Sequence, residues 1–347
     1  MMANRNKKEY GGYIPLELNK GIEYYNDDAY RLLRFNSIKA GLAHVVNQVK
    51  PTKIVIPYYY CPSTTGALKA LGDVEFYHIG EKYLPENKIQ HLCENGNNLD
   101  EEGILLVLVD YFGVRYDEIV DIANRYVNAT IVIDFAHDFF VPPILKDNIF
   151  NVYSAKKFFG IPDGAYLISN SIIQSDIDNW KPSFSDDYNQ YLFKSYEQGT
   201  NASYFEKKAA DGIIANKYTG MSVLAQGILS SVDYCENKKR RQENFAILNA
   251  GLRDINNLHV GNNRLFSSYH YPLQFKMSQV ELACELRRKL IDNKIYSPIL
   301  WLGEDLRRFG DDIEKSLANR TVLLPMDQRY DEEDMNYIIE EIYNYIK

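Results

Sequence analysis

The chain has 347 residues, 46% of them hydrophobic and 25% charged, with a net charge of -8 at pH 7. That length allows one large core, or a large and a small domain; the acidic balance excludes the basic face that a nucleic-acid partner requires, and no apolar run reaches the roughly 20 residues needed to span a bilayer. The polar stretch from Met1 to Lys8 lacks the apolar core of a secretory signal, and Cys61, Cys93, Cys235 and Cys284 show no metal-ligand or redox spacing, so a cytoplasmic protein with reduced thiols is expected.

From about residue 30 to 170, helix-like and strand-like segments alternate. Ser37 to Val49 has helical spacing, with Leu42, Val45 and Val46 on one face. Lys53 to Pro57 reads as a short buried strand, Pro62 to Leu71 as a helix with proline in its first turn, and Val74 to His78 as the next strand. Gly103 to Val109 is a continuous apolar strand, Arg115 to Val127 a helix, and Thr130 to Ile133 and Phe150 to Tyr153 two more strands. Continuous apolar strands separated by helices predict a parallel sheet covered on both faces. After the turn at Gly160 to Gly164, Ala165 to Ser169 is expected to run back along its neighbour. The pattern is lost from Gln174 to about Lys208, a polar, aromatic-rich stretch expected to lie near the site as a long loop or loose helices. Met221 to Leu252 reads as a long helix, broken or bent. Beyond it, Tyr269 to Phe275, Ile295 to Trp301 and Thr321 to Pro325 read as strands, and Val280 to Asn293 and Glu332 to Tyr345 as helices, which suggests a small α+β domain. The 28 tyrosines reflect either base-composition bias or an aromatic-rich pocket or interface, since tyrosine suits half-buried surfaces.

In a parallel sheet, ligands bind beyond the carboxyl ends of the strands. Ile131-Val-Ile-Asp-Phe-Ala-His137 ends an apolar run in a carboxylate and an imidazole, and Ser154-Ala-Lys-Lys157 ends another in a hydroxyl and two amines. A buried acid, an amine and a hydroxyl at strand ends are what an enzyme needs to hold pyridoxal phosphate: the acid keeps the pyridine nitrogen protonated, the amine forms the Schiff base, and the hydroxyl helps hold the phosphate. Each residue also has a plainer reading. Asp134 could cap the following turn, His137 could be a satisfied core histidine, and Lys156 and Lys157 could be a solvated pair, only one of which can face a pocket. Asn36 or Ser37 begins a helix whose free amides and dipole suit a phosphate but could also be an ordinary cap. Tyr58-Tyr-Tyr-Cys61 could stack a ring on the cofactor or pack an interface.

Together these constellations resemble the DegT/DnrJ-type family of fold type I pyridoxal-phosphate enzymes, the sugar aminotransferases, over most of the chain. Asn36-Ser-Ile-Lys-Ala40 occupies the place of the family's phosphate turn, Ile54 to Pro62 that of its strand, proline and aromatic segment, and Asp134-Phe-Ala-His137 that of its Asp-x-Ala-Gln/His motif. Ser154-Ala-Lys-Lys157 with Gly160-Ile-Pro-Asp-Gly-Ala165 matches a branch with a Ser-x-Arg-Lys and Pro-Asp-Gly pattern, whose last lysine forms the Schiff base. Tyr296 to Trp301 and Leu324 to Tyr330 are similar to small-domain motifs. Two features depart from the family: Ile38 stands where it usually has glycine, and Tyr218-Thr-Gly-Met-Ser222 only loosely matches the segment that reaches the partner subunit's phosphate.

The resemblance implies an α/β fold: a three-layer α/β/α large domain with a mostly parallel sheet (residues 1–245, including an N-terminal arm) and a small C-terminal α+β domain (246–347). It implies Lys157, Asp134 and His137 as catalytic residues, and Ser37, Ile38, Lys39, Tyr60, Asp134, His137, Ser154 and Lys157 as the pyridoxal 5'-phosphate site. The expected partners are a small-molecule substrate, an amino donor and a second copy in a homodimer, with no nucleic acid and no membrane. The expected reaction is amino transfer to a keto-sugar nucleotide or similar carbonyl compound. The alternatives are another pyridoxal-phosphate reaction on the same scaffold, or a degenerate, non-catalytic relative.

Overall fold

The computed structural model describes residues 14, 16–85, 99–260 and 264–346; Cys93 and the stretch from Met1 to Lys8 lie outside the described residues. In chain order the elements are β1 (Leu32–Phe35), α1 (Ile38–Val49), β2 (Lys53–Pro57), α2 (Pro62–Lys69), β3 (Val74–Tyr77), β4 (Ile104–Val109), α3 (Tyr116–Ala123), β5 (Thr130–Phe135), β6 (Ile149–Ser154) and β7 (Ala165–Ile168). They continue with α4 (Gln174–Asp178), α5 (Gln190–Gln198), α6 (Tyr204–Ala215), α7 (Val223–Leu229), α8 (Tyr234–Leu252), β8 (Tyr271–Gln274), α9 (Val280–Asp292), α10 (Glu304–Phe309), α11 (Asp312–Arg320), β9 (Thr321–Leu324) and α12 (Glu332–Ile346).

A seven-stranded sheet, ordered β1-β7-β6-β5-β4-β2-β3, forms the centre. β3, β2, β4, β5 and β6 are mutually parallel; β7 runs antiparallel to β6, and β1 antiparallel to β7. β4 and β6 are buried along their whole length, as their unbroken apolar runs predict for strands covered on both faces. Register places Val109 beside Asp134 and Tyr153 beside Phe135, so the polar residues that end β5 and β6 emerge at one edge of the sheet. α7 and α8 divide the expected long helix at Ser230 to Asp233, where Asp233 caps α8 by accepting from the Glu236 amide. α8 then runs through the expected boundary between residues 245 and 246 and packs on α12 and β8.

Two expectations are corrected, and for a third stretch one of its two expected forms is realised. Ile295 to Trp301 is irregular rather than a strand: Pro298 lacks the amide a ladder needs, and β8 pairs with β9 alone in a two-stranded sheet. The helix expected to reach Val127 stops at Ala123, because the Asp100 carboxylate takes the amides of Val127, Asn128 and Ala129 at 2.8, 2.7 and 3.2 Å and draws the chain out of helical register. The stretch from Gln174 to Lys208 is mostly helical. Its α5 and α6 bury Tyr188, Tyr191, Ala210 and Ile214 in a small core of their own. No helix among the described residues is long and apolar enough to cross a membrane.

Candidate active site

A cleft of about 490 Å³ opens at the carboxyl ends of the parallel strands. Its lining includes Ser37, Ile38, Lys39, Tyr60, Asp134, Ser154 and Lys157, so the structure brings seven of the eight expected site residues together. The eighth, His137, lies behind this wall.

Asp134 is the penultimate residue of β5 and is 4% exposed. Its Oδ1 accepts from the Ala136 amide at 2.8 Å, and its Oδ2 accepts from the Tyr60 hydroxyl at 2.7 Å. Burial pushes its pKa up, and the Lys157 ammonium and these two donors pull it back down. It is thus both a turn cap and a cleft wall.

The two lysines separate cleanly. They sit in one turn of 3-10 helix (Ala155–Lys157) just past β6, not on the strand itself. Lys156 Nζ reaches Asp211 on α6 at 2.9 Å, whereas Lys157 Nζ lies 5.7 Å from the Tyr269 ring centre and 5.8 Å from that of Trp301. Among the described residues Lys157 takes no ion-pair partner. Burial lowers its pKa, opposed by the negative charge of Asp134. An amine that sheds its proton more readily is a better nucleophile.

The turn holding these lysines is tied to the start of α1. The Lys156 amide donates to the Gly164 carbonyl at 3.2 Å, and the Gly164 amide donates to the Asn36 carbonyl at 3.1 Å. Gly164 has φ +143°, and a side chain there would strike Ile161 at 2.9 Å, so only glycine suits the position. Ser37 caps α1 by accepting from the Ala40 amide at 3.3 Å. Ile38 and Lys39 therefore begin the helix at the cleft, where free amides and the helix dipole favour an anion. Lys39 Nζ donates to the Ala215 carbonyl at the end of α6 (2.9 Å).

His137 is buried between parallel rings: Trp301 at 5.0 Å and Phe112 at 5.6 Å. Its Nδ1 accepts from the Phe112 amide at 3.2 Å, which leaves Nε2 as the protonated nitrogen, buried and without a partner among the described residues. Burial, with Lys157 and His270 nearby, holds its pKa well below 6.5, so the ring is neutral. Phe112 has φ +59°, a conformation costing about 1–3 kcal/mol in a bulky residue; the ring stack and hydrogen bond to His137 hold it there. Next to it, Gly113 passes so close to the His137 carbonyl that a Cβ would lie 2.7 Å away.

The three tyrosines left open by the sequence do three different things. Tyr58 stacks on Phe76 at 4.7 Å, Tyr59 donates to the Leu300 carbonyl, and Tyr60 turns to Asp134. Sequence reasoning missed other cleft residues: Cys61, Ser63 and Thr64 around the start of α2, Lys207 and Asp211 on α6, and Tyr269 and Trp301. The i,i+4 spacing of Lys207 and Asp211 marks an ordinary surface ion pair on a helix and carries no signal that the pair faces a cleft. Cys61 carries a thiol whose pKa is lowered; burial, which would raise it, is outweighed by its contacts with Ser63 and Thr64 and by the charge of Lys157. Tyr269 is held at the cleft by its amide, which donates to the His137 carbonyl at 3.0 Å.

This architecture is that of the fold type I pyridoxal-phosphate aminotransferases: a mostly parallel seven-stranded sheet flanked by helices, with a small C-terminal unit. Among solved structures, it is similar to PseC of Helicobacter pylori, an aminotransferase of pseudoaminic acid biosynthesis (TM-score 0.62, 13% identity, covering 94% of this chain and 93% of that one). It is also similar to a DegT/DnrJ/EryC1/StrS aminotransferase from Brucella abortus (TM-score 0.59, 16% identity, 91% and 86% covered) and to NtdA of Bacillus subtilis, solved with bound PMP (TM-score 0.59, 13% identity, 92% and 74% covered). No protein-family model matches the chain, and no curated protein sequence does.

Proposed function

We propose that the chain is a pyridoxal-phosphate-dependent aminotransferase that moves an amino group from an amino acid to a keto-sugar nucleotide or a similar small carbonyl compound. The observation that carries this reading is Lys157: a partly buried amine without an ion-pair partner among the described residues, sharing one cleft with the buried carboxylate of Asp134. The sugar-like acceptor is supported by the similar structures, which include a sugar aminotransferase from Micromonospora echinospora.

The residues present fit the cofactor. The start of α1, with the Ser37 hydroxyl and the Ile38 and Lys39 amides, and the Ser154 hydroxyl would hold its phosphate. Asp134 would hold the proton on its ring nitrogen, and Lys157 would link to its aldehyde. When bound, the cofactor supplies an electron sink for carbanion chemistry. Lys157 Nζ is the chain's nucleophile and its carrier of the proton at the reacting carbon. Tyr269 and Trp301 shield that nitrogen from water. His137, neutral and with a free Nε2 proton, would orient the ring from behind the wall.

The remaining parts of the reading follow from the same site. Residues 1–245 would form the cofactor-binding domain and 246–347 the small domain, with α8 as a shared strut. A homodimer is supported by an open apolar groove of about 630 Å³ that includes Leu16, Phe184 and Val223; the Phe184 side chain is 76% exposed. Cytoplasmic residence suits the unpaired thiols of Cys61, Cys235 and Cys284.

The test is direct. Protein mixed with pyridoxal phosphate should absorb in the visible, and borohydride followed by peptide mass mapping should place the cofactor on Lys157. Attachment at Lys156, or a protein that stays colourless, would overturn the reading. Formation of pyridoxamine phosphate on adding an amino acid separates transamination from other reactions of the same cofactor.

A further inference from the structure

Tyr60 stands apart from its neighbours in the aromatic segment that follows β2. It is 2% exposed, its ring meets Trp301 edge-on at 6.3 Å, and its hydroxyl donates to Asp134 Oδ2 at 2.7 Å. We propose that Tyr60 is the positioning residue for Asp134: its hydroxyl fixes the plane of the carboxylate and favours the charged form at the cleft wall. This rests on the reading of Asp134 as the group facing the cofactor's ring nitrogen.

The argument is one of geometry. A carboxylate at the end of a strand can rotate about its last bond. Asp134 cannot, because the Ala136 amide holds Oδ1 and the Tyr60 hydroxyl holds Oδ2. Each carboxylate oxygen keeps a second lone pair, so both donors leave room for a further donor from the cleft. A phenol is a suitable second clamp. It is neutral, so it adds no competing positive charge, and burial together with the nearby Asp134 charge holds its own pKa well above 10, so it remains a donor over the range in which Asp134 ionises. Hydrogen bonds to the ionised form favour that form, which offsets the penalty of taking Asp134 out of water. The other titratable groups around Asp134 are Lys157 beyond β6 and Tyr111 beyond β4. Tyr111 is turned away, donating to the Tyr59 carbonyl, and among the described residues Lys157 makes no hydrogen bond to Asp134, whose oxygens are held by Tyr60 and the Ala136 amide. Tyr60 is then the one side-chain donor on Asp134 among the described residues.

The experiment follows the Asp134 γ-carbon by 13C NMR across a pH titration of the protein without cofactor, in wild type and in Tyr60→Phe. The proposal expects the Asp134 midpoint to rise by about one to two pH units in the variant, the size of one lost hydrogen bond to a charged group. It also expects pyridoxal-phosphate affinity to fall by about tenfold, with the visible band titrating at a shifted pH. An unchanged Asp134 midpoint would overturn the proposal. Should Tyr60→Phe not fold, Asp134→Asn gives the reciprocal measurement: the Tyr60 ζ-carbon should titrate at lower pH than in wild type, and an unmoved Tyr60 would likewise overturn it. Neither titration uses the cofactor. A wild-type protein that ignores pyridoxal phosphate therefore defeats the functional reading, whereas a failed titration defeats only the role of Tyr60.

Discussion

The cleft has two walls of different construction. One is the central sheet, whose β4 and β6 are wholly buried and whose strand ends carry Asp134 and Ser154, with Lys157 in the turn beyond. The other is the α5–α6 pair, with a core of its own made of Tyr188, Tyr191, Ala210 and Ile214. Polar links tie it to the rest: Lys156 to Asp211, Lys39 to the Ala215 carbonyl, and Tyr188 to Asp163 at 2.6 Å. The groups that must be held to a fraction of an ångström sit on the stiff wall. The wall that shapes the opening is a separate packing unit, free to differ without disturbing the chemistry.

The contrast can be broken or sharpened by measurement. On the sheet wall, Lys157→Ala should lower turnover by at least about 10³-fold, and the cofactor should no longer be fixed by borohydride; Lys156→Ala should keep that attachment. In a comparison of the two cores, Leu106→Ala in β4 should cost about 2–5 kcal/mol in urea unfolding, while Ile214→Ala in the small helical core should lie at the low end, about 2 kcal/mol. Equal losses would mean that the two walls are one cooperative unit.

Acid should act through the sheet wall. His137 has a folded pKa well below its usual 6.5, so below pH 6.5 the unfolded chain binds a proton there that the folded protein refuses. Its contribution is complete above pH 6.5 and is lost as the pH falls towards its folded pKa, by about 1.4 kcal/mol per pH unit. A His137→Asn variant should show a shallower loss of stability between pH 6.5 and 5, and an unchanged slope would contradict the buried neutral ring. The smallest effect belongs to the helical wall: Asp211→Asn should change stability by less than about 1 kcal/mol, yet raise the KM of a substrate that reaches Lys156 and Lys207.

The sheet could be read in the sequence because its strands are unbroken apolar runs, and Asp134 and Lys157 because a polar residue at the end of such a run is conspicuous. β1 escaped notice: four residues interrupted by Arg34 carry no periodic signal. The segment from Ile295 to Trp301 looked like a strand because it is apolar, but Ile295 packs in the main core and Trp301 lines the cleft instead of pairing in a sheet. Periodicity marks the buried face of a helix; it does not reveal which part of the other face meets a ligand, so Lys207 and Asp211 were invisible. The division of labour between Lys156 and Lys157 followed from the resemblance alone, and it is Asp211, 54 residues beyond Lys157, that gives it a physical basis.

Where α5 turns into α6, the Asn201 side-chain amide and the Tyr296 hydroxyl are joined at 2.7 Å. Tyr296 lies five residues before Trp301, so this contact couples the tip of the hairpin to a ring that lines the cleft beside Lys157. Both side chains are exposed and lie outside the lining of the cleft. A lengthened or shortened hairpin tip would rescale the entrance while leaving the machinery inside untouched, which makes this turn the natural place for related chains to diverge in what they admit.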